Sequence, residues 1–454
     1  MLEILEKQKE FFNSHATVDV NFRLAQLKKL KSQINVYYDQ ICSAFLKDLN
    51  KHEYDVVSTE LGLVMKELNF MLRNLKRLAK PKRVCTSIIN MPSKGYKVYQ
   101  PYGTVLVAAP WNYPFQLTLI PTIGAMAAGN TVVIKPSRNT PNVTKVIKKI
   151  FDVFDDSYAY VVTKENEIEN LLDERFDFIF YTGSPNKARE LMEKQSKYLT
   201  PMVLELGGKS PCIVDSDADI LASAKRVIWG KFLNAGQTCV APDYVLLHSS
   251  IKDQWLECAK NYIEQFYYED GKLKKDFVKI VNQKNMERLK GLIDTSKIFF
   301  GGKVEGEKLE PTILENVKYE DKVMQEEIFG PIMPVIEFDD LDKELDKIDR
   351  GEKTLALYYF GQSKEKINRI KNNCRYGGGC INDTIMHLCE EGLPFGGLGN
   401  SGMGSYHGKQ TFYTFSHEKS VLQKSPTGEL NIKYPPINNK KLSLTKFIFR
   451  IKTK

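Results

Sequence analysis

The chain has 454 residues, of which 42% are hydrophobic, so it is long enough to bury substantial cores in two or three globular domains. Its net charge of +9 arises from 65 basic and 56 acidic residues that are mostly interspersed, which argues against a nucleic-acid groove. The first residues, MLEILEKQKEFF, carry charges throughout and lack the apolar core of a secretory signal, so we expect a cytoplasmic protein.

The first 80 residues are predicted to be helical. Apolar residues recur at helical spacing within residues 17–50, with lysines between them, and residues 52–80 repeat this style. The apolar positions of the first stretch are Phe22, Leu27, Leu30, Ile34, Ile41, Phe45 and Leu49. We therefore expect one or two amphipathic helices at the start of the chain.

Residues 98–134 contain no charged side chain and resemble a membrane span at first sight. Prolines and the pair Gly129-Asn130 divide this stretch into short pieces. A spanning helix needs about 20 uninterrupted apolar residues. The stretch therefore predicts buried strands and a buried site.

Short apolar runs alternate with helical stretches along much of the chain. The segment SIINMPSKGYKVYQPYG indicates a β-hairpin or meander, and TVLVAAP, NTVVIKPS, YAYVVT and FDFIFYTGS indicate strands. This alternation predicts βαβ units with a mostly parallel sheet, and a second α/β region follows from about Val203. The tail after Phe412 is polar and contains prolines, which is typical of an extended arm.

The eight cysteines form no CxxC pair, and none has a histidine at zinc-finger spacing, so we predict reduced thiols and no metal site. Cys239 differs from the others because the segment NAGQTC surrounds it with amides and small residues. A buried structural thiol is the commonest fate of a cysteine, but these neighbours favour an accessible, reactive one.

Two glycine-containing segments are candidates for a dinucleotide site. The GxGxxG pattern at residues 397–402 follows EEGLPFG, which is a poor strand, and we reject it as the cofactor loop. In FDFIFYTGSPNKARELMEK, a strand leads through Gly183 and Ser184 into a helix whose free N-terminal amides suit a pyrophosphate. Any tight strand-to-helix turn has this pattern, so on local grounds alone the interpretation stays open.

Two polar residues occur in segments that suggest a site. Glu205 ends the apolar strand of LELGGKSP, where it is either a surface carboxylate or, beside Gly207 and Gly208, part of a site that something approaches closely. Asn112 lies in the uncharged segment APWNYPF. Its amide either satisfies a buried backbone group or faces a ligand oxyanion.

These segments together resemble the aldehyde dehydrogenase superfamily along nearly the whole chain. The matching motifs, in the family's order, are PWNYP, IKPS, YTGS, LELGGKSP, GQTC, EEIFGP and LPFGGLGNSGMG. The length, VNFRLAQLKKLK near the start and FSHEKS near the end are similar to the class 3 branch, whose members oxidise medium-chain, fatty or aromatic aldehydes and are typically dimers.

The resemblance implies an α/β fold with a Rossmann-like cofactor domain, an α/β catalytic domain and a small β oligomerisation element. We assign residues 1–85 and 102–205 to the N-terminal helices and NAD(P)-binding domain. Residues 206–411 form the catalytic domain with Cys239, and residues 86–101 and 412–454 form the oligomerisation hairpin and C-terminal arm. A homodimer is expected.

The resemblance also implies roles for three residues in aldehyde oxidation. Cys239 is the nucleophile that makes the carbonyl carbon tetrahedral. The Asn112 side-chain amide and the Cys239 backbone N–H stabilise the oxyanion. Glu205 activates the water that hydrolyses the resulting thioester to the carboxylic acid. The nearest alternatives are an acylating relative that transfers the acyl group to coenzyme A or phosphate, and a catalytically silent binding homologue.

Residues expected to contact the cofactor or the aldehyde also follow from the resemblance. The cofactor residues are Lys135 at the adenosine ribose, Gly183 and Ser184 at the pyrophosphate, Glu327 at the nicotinamide ribose and Phe329 near the nicotinamide. The substrate-pocket residues are Tyr113 and Phe395. Glu326, the neighbour of Glu327, is assigned no role.

One departure from the family pattern affects the choice between NAD and NADP. The common form Lys-Pro-Ser-Glu ends in a glutamate that binds the adenosine ribose and repels a 2′-phosphate, whereas this chain has Arg138 there. Because an arginine suits that phosphate, we predict that NADP is accepted at least as well as NAD. The alternative is that Arg138 points to solvent and another group binds the ribose.

The basic tail, residues 440–454, has Leu444, Phe447, Ile448 and Ile451 at helical spacing. This pattern allows a helix on a membrane surface, as in membrane-attached fatty-aldehyde relatives. Because the apolar face is small, docking against the protein body or a partner subunit is favoured.

Overall fold

The N-terminal region is helical, as its apolar spacing predicts. The computed structural model describes residues 1–164, 167, 171–428 and 431–451. Helices span Leu2–Asn13, Val20–Val36, Tyr38–Leu49, Glu53–Val56 and Gly62–Leu78, and a π-helical turn spans Val57–Leu61. Most of the predicted apolar positions, from Leu27 to Leu49, are fully buried, so these helices cover the first domain with their apolar faces.

The first sheet has six strands. In spatial order they are Gly402–Met403, Met202–Glu205, Phe178–Thr182, Thr104–Ala108, Thr131–Lys135 and Ala159–Val161. All neighbouring pairs are parallel except the one that Gly402–Met403 makes with Met202–Glu205. The helices that belong to this region are Gln116–Ala128, Pro141–Phe151 and Pro185–Ser196. The predicted α/β fold with mostly parallel strands is confirmed.

The second sheet has seven strands. Their spatial order is Ile298–Phe300, Thr312–Leu314, Ile332–Phe338, Tyr244–His248, Pro211–Val214, Ala356–Phe360 and Gly378–Ile381. Only the first pair is antiparallel. Its helices are Ile220–Phe232, Lys252–Tyr267, Gln283–Lys290, Leu341–Arg350 and Lys364–Asn373. Since Gly402–Met403 joins the first sheet, not every part of residues 206–411 belongs to the second one.

A third, antiparallel sheet joins two distant parts of the chain. Ser93–Pro101 pairs along its whole length with Ser416–Lys424, and Lys82–Val84 pairs with the other edge of Ser93–Pro101. This sheet therefore includes a short strand that precedes the predicted start of the hairpin at residue 86. Among the described residues, Ser416–Lys424 is an edge strand with one side unpaired.

The uncharged stretch and the basic tail differ in their environments. Every residue of the helix Gln116–Ala128 is buried, as expected for a stretch without charges. In the tail, the helix Asn439–Ile448 buries none of its residues against the rest of the chain, and residues 452–454 lie outside the described part. Among the described residues, no helix is long and apolar enough to cross a membrane.

Candidate active site

A cavity of about 1090 Å³ lies at the carboxyl ends of the first-sheet strands Phe178–Thr182 and Met202–Glu205 and at the amino ends of the second-sheet strands Pro211–Val214 and Tyr244–His248. The carboxyl ends of strands are where open α/β sheets bind their ligands, so the first sheet is the one placed to hold a cofactor. The predicted site residues that line it are Asn112, Gly183, Ser184, Glu205, Cys239, Glu327 and Phe329. Four other predicted residues, Lys135, Arg138, Tyr113 and Phe395, are not part of this lining.

The loop before Cys239 has an unusual backbone. Asn234, Ala235 and Gly236 all have left-handed conformations, with φ values of 55°, 53° and 70°. The Gln237 side chain supports this loop, because its amide donates to the carbonyls of Asn234 and Lys279, at 3.1 and 3.0 Å. Non-glycine residues adopt such conformations only when their surroundings hold them. The loop that presents the thiol is therefore rigidly supported.

Cys239 is partly exposed and lines the cavity, whereas Cys212 is a buried core thiol. Burial, followed by the charges of Glu327 and Glu205, raises the pKa of the Cys239 thiol to about 12, although the backbone N–H groups of Cys239 and Val240 oppose this shift. Without a bound cation, the protein itself favours the protonated thiol.

The Asn112 side chain is held close to this loop. Its amide nitrogen donates to the carbonyl of Gln237 at 3.1 Å, and the Asn234 amide donates to the Asn112 carbonyl at 3.0 Å. An amide nitrogen carries two hydrogens, so one remains for a ligand. Asn112 thus satisfies a buried carbonyl and also lines the cavity, and its role toward a ligand oxyanion stays a prediction.

Glu205 is buried with only 2% of its surface exposed, so the interpretation as a surface carboxylate is wrong. Neither of its carboxyl oxygens has a hydrogen-bond partner among the described residues. Burial raises the pKa of this carboxyl well above its ordinary value. A carboxyl with a raised pKa that faces a cavity is suited to accept a proton from a ligand or a water molecule.

The start of the helix Pro185–Ser196 has features that fit a pyrophosphate. Ser184 caps the helix without a side-chain hydrogen bond, and the Oγ1 of Thr182 beside it is buried without a partner among the described residues. Both residues line the cavity, so the helix amides and these hydroxyls can bind an anion there. The position of this helix start in the cavity wall therefore supports the pyrophosphate interpretation, for which the sequence pattern at Gly183 and Ser184 was weak evidence.

The far side of the cavity holds Glu327 and Phe329. Burial, followed by the charge of Asp243, raises the pKa of Glu327 to about 8, and a backbone N–H from Gly208 opposes this. Phe329 meets the Trp111 ring edge to face, with 5.4 Å between centroids. The expected contacts of Glu327 with a ribose and of Phe329 with the nicotinamide stay predictions.

Three basic groups influence one another near the carboxyl end of the strand Thr131–Lys135 in the first sheet. Lys135 ends the strand Thr131–Lys135, and burial lowers the pKa of its ammonium group, with smaller contributions from the charges of Arg138 and Lys187. Lys187 lies in the first turn of the helix Pro185–Ser196. A cluster of cations at this place favours an anionic group on a ligand.

Tyr113 and Phe395 are buried behind the cavity wall. The Tyr113 hydroxyl shares a hydrogen bond with Thr238, at 2.8 Å. Phe395 stacks between the rings of His387 and His407, with centroid distances of 6.0 and 5.3 Å. Neither side chain lines the large cavity, so their expected contact with an aldehyde stays a prediction.

Sequence reasoning missed several residues that support the site. Asn234 and Gln237 hold the nucleophile loop, and Lys209 donates to the carboxylate of Asp243 at 2.5 Å. Asp243 in turn accepts from the Ile328 N–H, next to Glu327. The only sequence signal was their proximity to the motifs NAGQTC, GGKSP and CVAPD.

Comparison with known proteins identifies the family. The family model described as "Aldehyde dehydrogenase family" matches residues 2–421. The chain belongs to the aldehyde dehydrogenase family. It is 44% identical to the 4,4'-diaponeurosporen-aldehyde dehydrogenase of Staphylococcus aureus, over 95% of each chain. It is 41% identical to the rat "Aldehyde dehydrogenase, dimeric NADP-preferring", over 96% of this chain and 97% of that one.

A solved structure and a further relative agree with this assignment. The structure of a substrate-bound state of Staphylococcus aureus AldH has a TM-score of 0.95 and 42% identity, and the match covers 98% of each chain. The rat aldehyde dehydrogenase family 3 member A2 is 39% identical over 98% of this chain and 93% of its own length. The resemblance to the class 3 branch is thus confirmed, and this aldehyde dehydrogenase takes NAD or NADP as its cofactor.

Proposed function

We propose that this aldehyde dehydrogenase oxidises aldehydes to carboxylic acids through a thiohemiacetal and a thioester on Cys239, with Glu205 as the hydrolytic base. The observation that carries the proposal is that Cys239, Glu205 and Asn112 line one cavity with a helix N-terminus suited to a pyrophosphate. A nucleophile, a base and an oxyanion donor in one site are the groups that acyl-enzyme chemistry needs.

The proposed steps follow from the positions of these groups. The Cys239 thiolate adds to the carbonyl carbon, and the new oxyanion is stabilised by the free hydrogen of the Asn112 amide and the Cys239 N–H. The bound nicotinamide cofactor supplies the hydride acceptor that turns this adduct into a thioester. Glu205 then takes a proton from a water molecule, whose oxygen attacks the thioester carbon and releases the acid and the Cys239 thiol.

Hydrolysis is favoured over acyl transfer because of Glu205. Both of its carboxyl oxygens are buried and lack partners among the described residues, which leaves them available for a water molecule in the cavity. An acylating enzyme would have no need of a base at this place. Acyl-coenzyme A or acyl phosphate as the product, formed only when coenzyme A or phosphate is added, would contradict hydrolysis.

The central test is cofactor reduction with short, long-chain and aromatic aldehydes, for the wild-type protein and the Cys239→Ser variant. The resemblance to the class 3 branch leads us to expect that long-chain or aromatic aldehydes are preferred, and one relative is named for 4,4'-diaponeurosporen-aldehyde. Loss of activity in Cys239→Ser is expected. Folded wild-type protein whose Cys239 reacts with neither an aldehyde nor iodoacetamide would instead support a silent binding homologue.

The cluster of Lys135, Arg138 and Lys187 supports the use of NADP at least as well as NAD, because these cations suit a 2′-phosphate. The name of the rat relative, NADP-preferring, agrees with this. We expect Arg138→Glu to lower kcat/KM for NADP and to leave that for NAD nearly unchanged. A strong NAD preference that persists in both proteins would contradict the proposal.

A homodimer in a reducing compartment such as the cytoplasm is also proposed. The edge strand Ser416–Lys424 exposes Val421 and Leu422, and an unpaired edge with apolar residues is suited to pair with a second copy. All eight cysteines are free thiols, which agrees with reducing conditions. Light scattering coupled to size exclusion measures the oligomeric state; a monomer at micromolar concentration would contradict the dimer.

A further inference from the structure

A buried ion pair lies in the N-terminal helical region, between Lys51 in the loop after Tyr38–Leu49 and Glu60. Lys51 and Glu60 are 1% and 0% exposed, and the Lys51 Nζ lies 3.0 Å from the Glu60 Oε1. Glu60 belongs to the π-helical turn Val57–Leu61. Such turns are frequent at functional sites, and a buried ion pair is by itself a weak source of stability. The role of this pair must therefore be sought in what it contacts.

Both members of the pair contact the segment that carries Asn112. The second oxygen of Glu60, Oε2, accepts from the backbone N–H of Gln116 at 2.8 Å, at the start of the helix Gln116–Ala128. The Lys51 Nζ lies 4.3 Å from the centroid of the Tyr113 ring, a cation–π contact. The pair thus holds the segment from Tyr113 to Gln116 at both of its ends.

The same segment is bonded to the nucleophile loop. The Tyr113 hydroxyl shares a hydrogen bond of 2.8 Å with Thr238, which directly precedes Cys239. The neighbouring Asn112 amide donates to the carbonyl of Gln237. A continuous series of contacts therefore leads from the ion pair to the residues on either side of the reacting carbonyl.

We propose that Lys51 and Glu60 are positioning residues that, through Tyr113 and Thr238, fix Cys239 and Asn112 in the geometry needed to form the thioester. This inference rests on the proposed role of Cys239 as the nucleophile. Small displacements of a nucleophile from its oxyanion donors are costly in rate, so a rigid link is expected to act on the chemical step and not on cofactor binding.

The chain provides a matched control in Asp48. It is a buried carboxylate of the same helical region, and its Oδ2 accepts from the backbone N–H of Val143 at 2.9 Å, at the start of the helix Pro141–Phe151. Asp48 thus does for one helix what Glu60 does for another, without contact to the nucleophile loop. Asp48→Asn reports the cost of a lost buried carboxylate alone.

The test compares pre-steady-state bursts of reduced cofactor in the wild-type protein, Glu60→Gln, Lys51→Met, Tyr113→Phe and Asp48→Asn. We expect the burst rate to fall about tenfold or more in the first three variants, with the cofactor Kd unchanged, and to stay near wild type in Asp48→Asn. The double variant Glu60→Gln/Tyr113→Phe is expected to be no slower than the worse single variant, because both act through one link.

Circular dichroism establishes whether each variant is folded. Tyr113→Phe removes one hydroxyl and no charge, so it tests the link even if Glu60→Gln and Lys51→Met fail to fold. An unchanged burst in folded Tyr113→Phe, additive losses in the double variant, or an equal loss in Asp48→Asn would overturn the inference. Cys239→Ser is measured in parallel: a burst that persists there would overturn the proposed function and this inference with it. If the burst disappears in Cys239→Ser, the proposed function is supported. The other variants then decide whether Lys51 and Glu60 have the positioning role.

Discussion

Gly207 lies directly against the carboxylate of Glu327. A β-carbon on Gly207 would be 2.2 Å from the Glu327 Oε2 and 2.4 Å from its Oε1, which is far closer than real contacts allow. The glycine after LEL is therefore required for the carboxylate to reach its place in the cavity wall. The motif LELGG and the motif EEIFGP, distant in sequence, form one surface here.

Replacement of Gly207 by alanine should displace Glu327 and weaken cofactor binding. Because the added methyl group takes the space of a carboxylate that faces the cavity, we expect the cofactor Kd to rise about tenfold or more, measured by fluorescence titration. Gly392→Ala is the matched control, since a β-carbon at that exposed position meets nothing within 4 Å. Equal affinity in both variants would show that Glu327 does not contribute to cofactor binding.

Alkylation of Cys239 should be slow at neutral pH in the cofactor-free enzyme. Since the thiol pKa is raised to about 12, the reactive thiolate fraction should increase steadily as the pH rises from 6 to 10, without a plateau. The measurement is the rate of iodoacetamide labelling of Cys239 by mass spectrometry, with the exposed Cys85 as an internal reference. A plateau below pH 8 would mean that the protein itself stabilises the thiolate.

Addition of NAD⁺ or NADP⁺ should accelerate the same labelling, because the positively charged nicotinamide opposes the carboxylates of Glu327 and Glu205. This outcome would show that the charge of the cofactor lowers the pKa of Cys239 and so favours the thiolate. If the labelling rate does not depend on the cofactor, the prediction is wrong, and the thiolate forms only when the substrate is bound.

Glu205→Gln should block hydrolysis and spare thioester formation. We expect kcat to fall roughly 10²- to 10⁴-fold, with a burst of reduced cofactor close to one equivalent per site still present. Rapid-mixing absorbance measures both quantities. Glu326→Gln, which changes an exposed carboxylate paired with Arg288, serves as the control and should keep its activity. Loss of the burst in Glu205→Gln would mean that Glu205 acts in the formation of the thioester and not in its hydrolysis.

Glu67 should make the protein less stable as the pH rises. Burial raises the pKa of this carboxyl from 4.5 to about 7, so the folded state binds a proton more tightly than the unfolded state between these values. The free energy of unfolding should therefore fall by roughly 3 kcal/mol as the pH rises from about 4.5 to 7, and then level off.

Glu67→Gln keeps an acceptor for the Gly408 N–H and cannot ionise, so it should be more stable than wild type at pH 8 and similar at pH 4.5. Urea denaturation at both pH values measures this, and the exposed Glu287→Gln is the control. A wild-type protein and a Glu67→Gln variant with the same pH dependence would contradict the prediction.

Local patterns in the sequence were sufficient for much of the fold. Helical spacing gave the buried faces of the N-terminal helices, and short apolar runs gave the strands, because the 3.6- and two-residue periods are properties of neighbouring residues. The predicted order of a strand, a turn at Gly183 and a helix is also observed, since the strand Phe178–Thr182 leads into the helix Pro185–Ser196. The motif order was enough to indicate the family.

Local patterns did not predict the burial of a side chain where distant segments determine its surroundings. Glu205 reads as a surface carboxylate at a strand end, but its surroundings bury it and leave both of its oxygens unpaired within the described residues. The helix Asn439–Ile448 shows the reverse, since its apolar spacing does not reveal that none of its residues is fully buried in the described part of the chain.

By itself, the sequence determined which chemical groups this protein carries: a thiol among amides, a carboxylate shortly before two glycines, and a helix start after a strand. Tertiary structure alone decided which of these groups meet and what supports them. Tyr113 and Thr238 bond across 125 residues of sequence, and Lys51 and Glu60 hold that contact from a third segment. The physical reason is that periodicity and turn chemistry act between neighbours, whereas partners in a packed core are chosen by the complementary shapes and charges of distant segments.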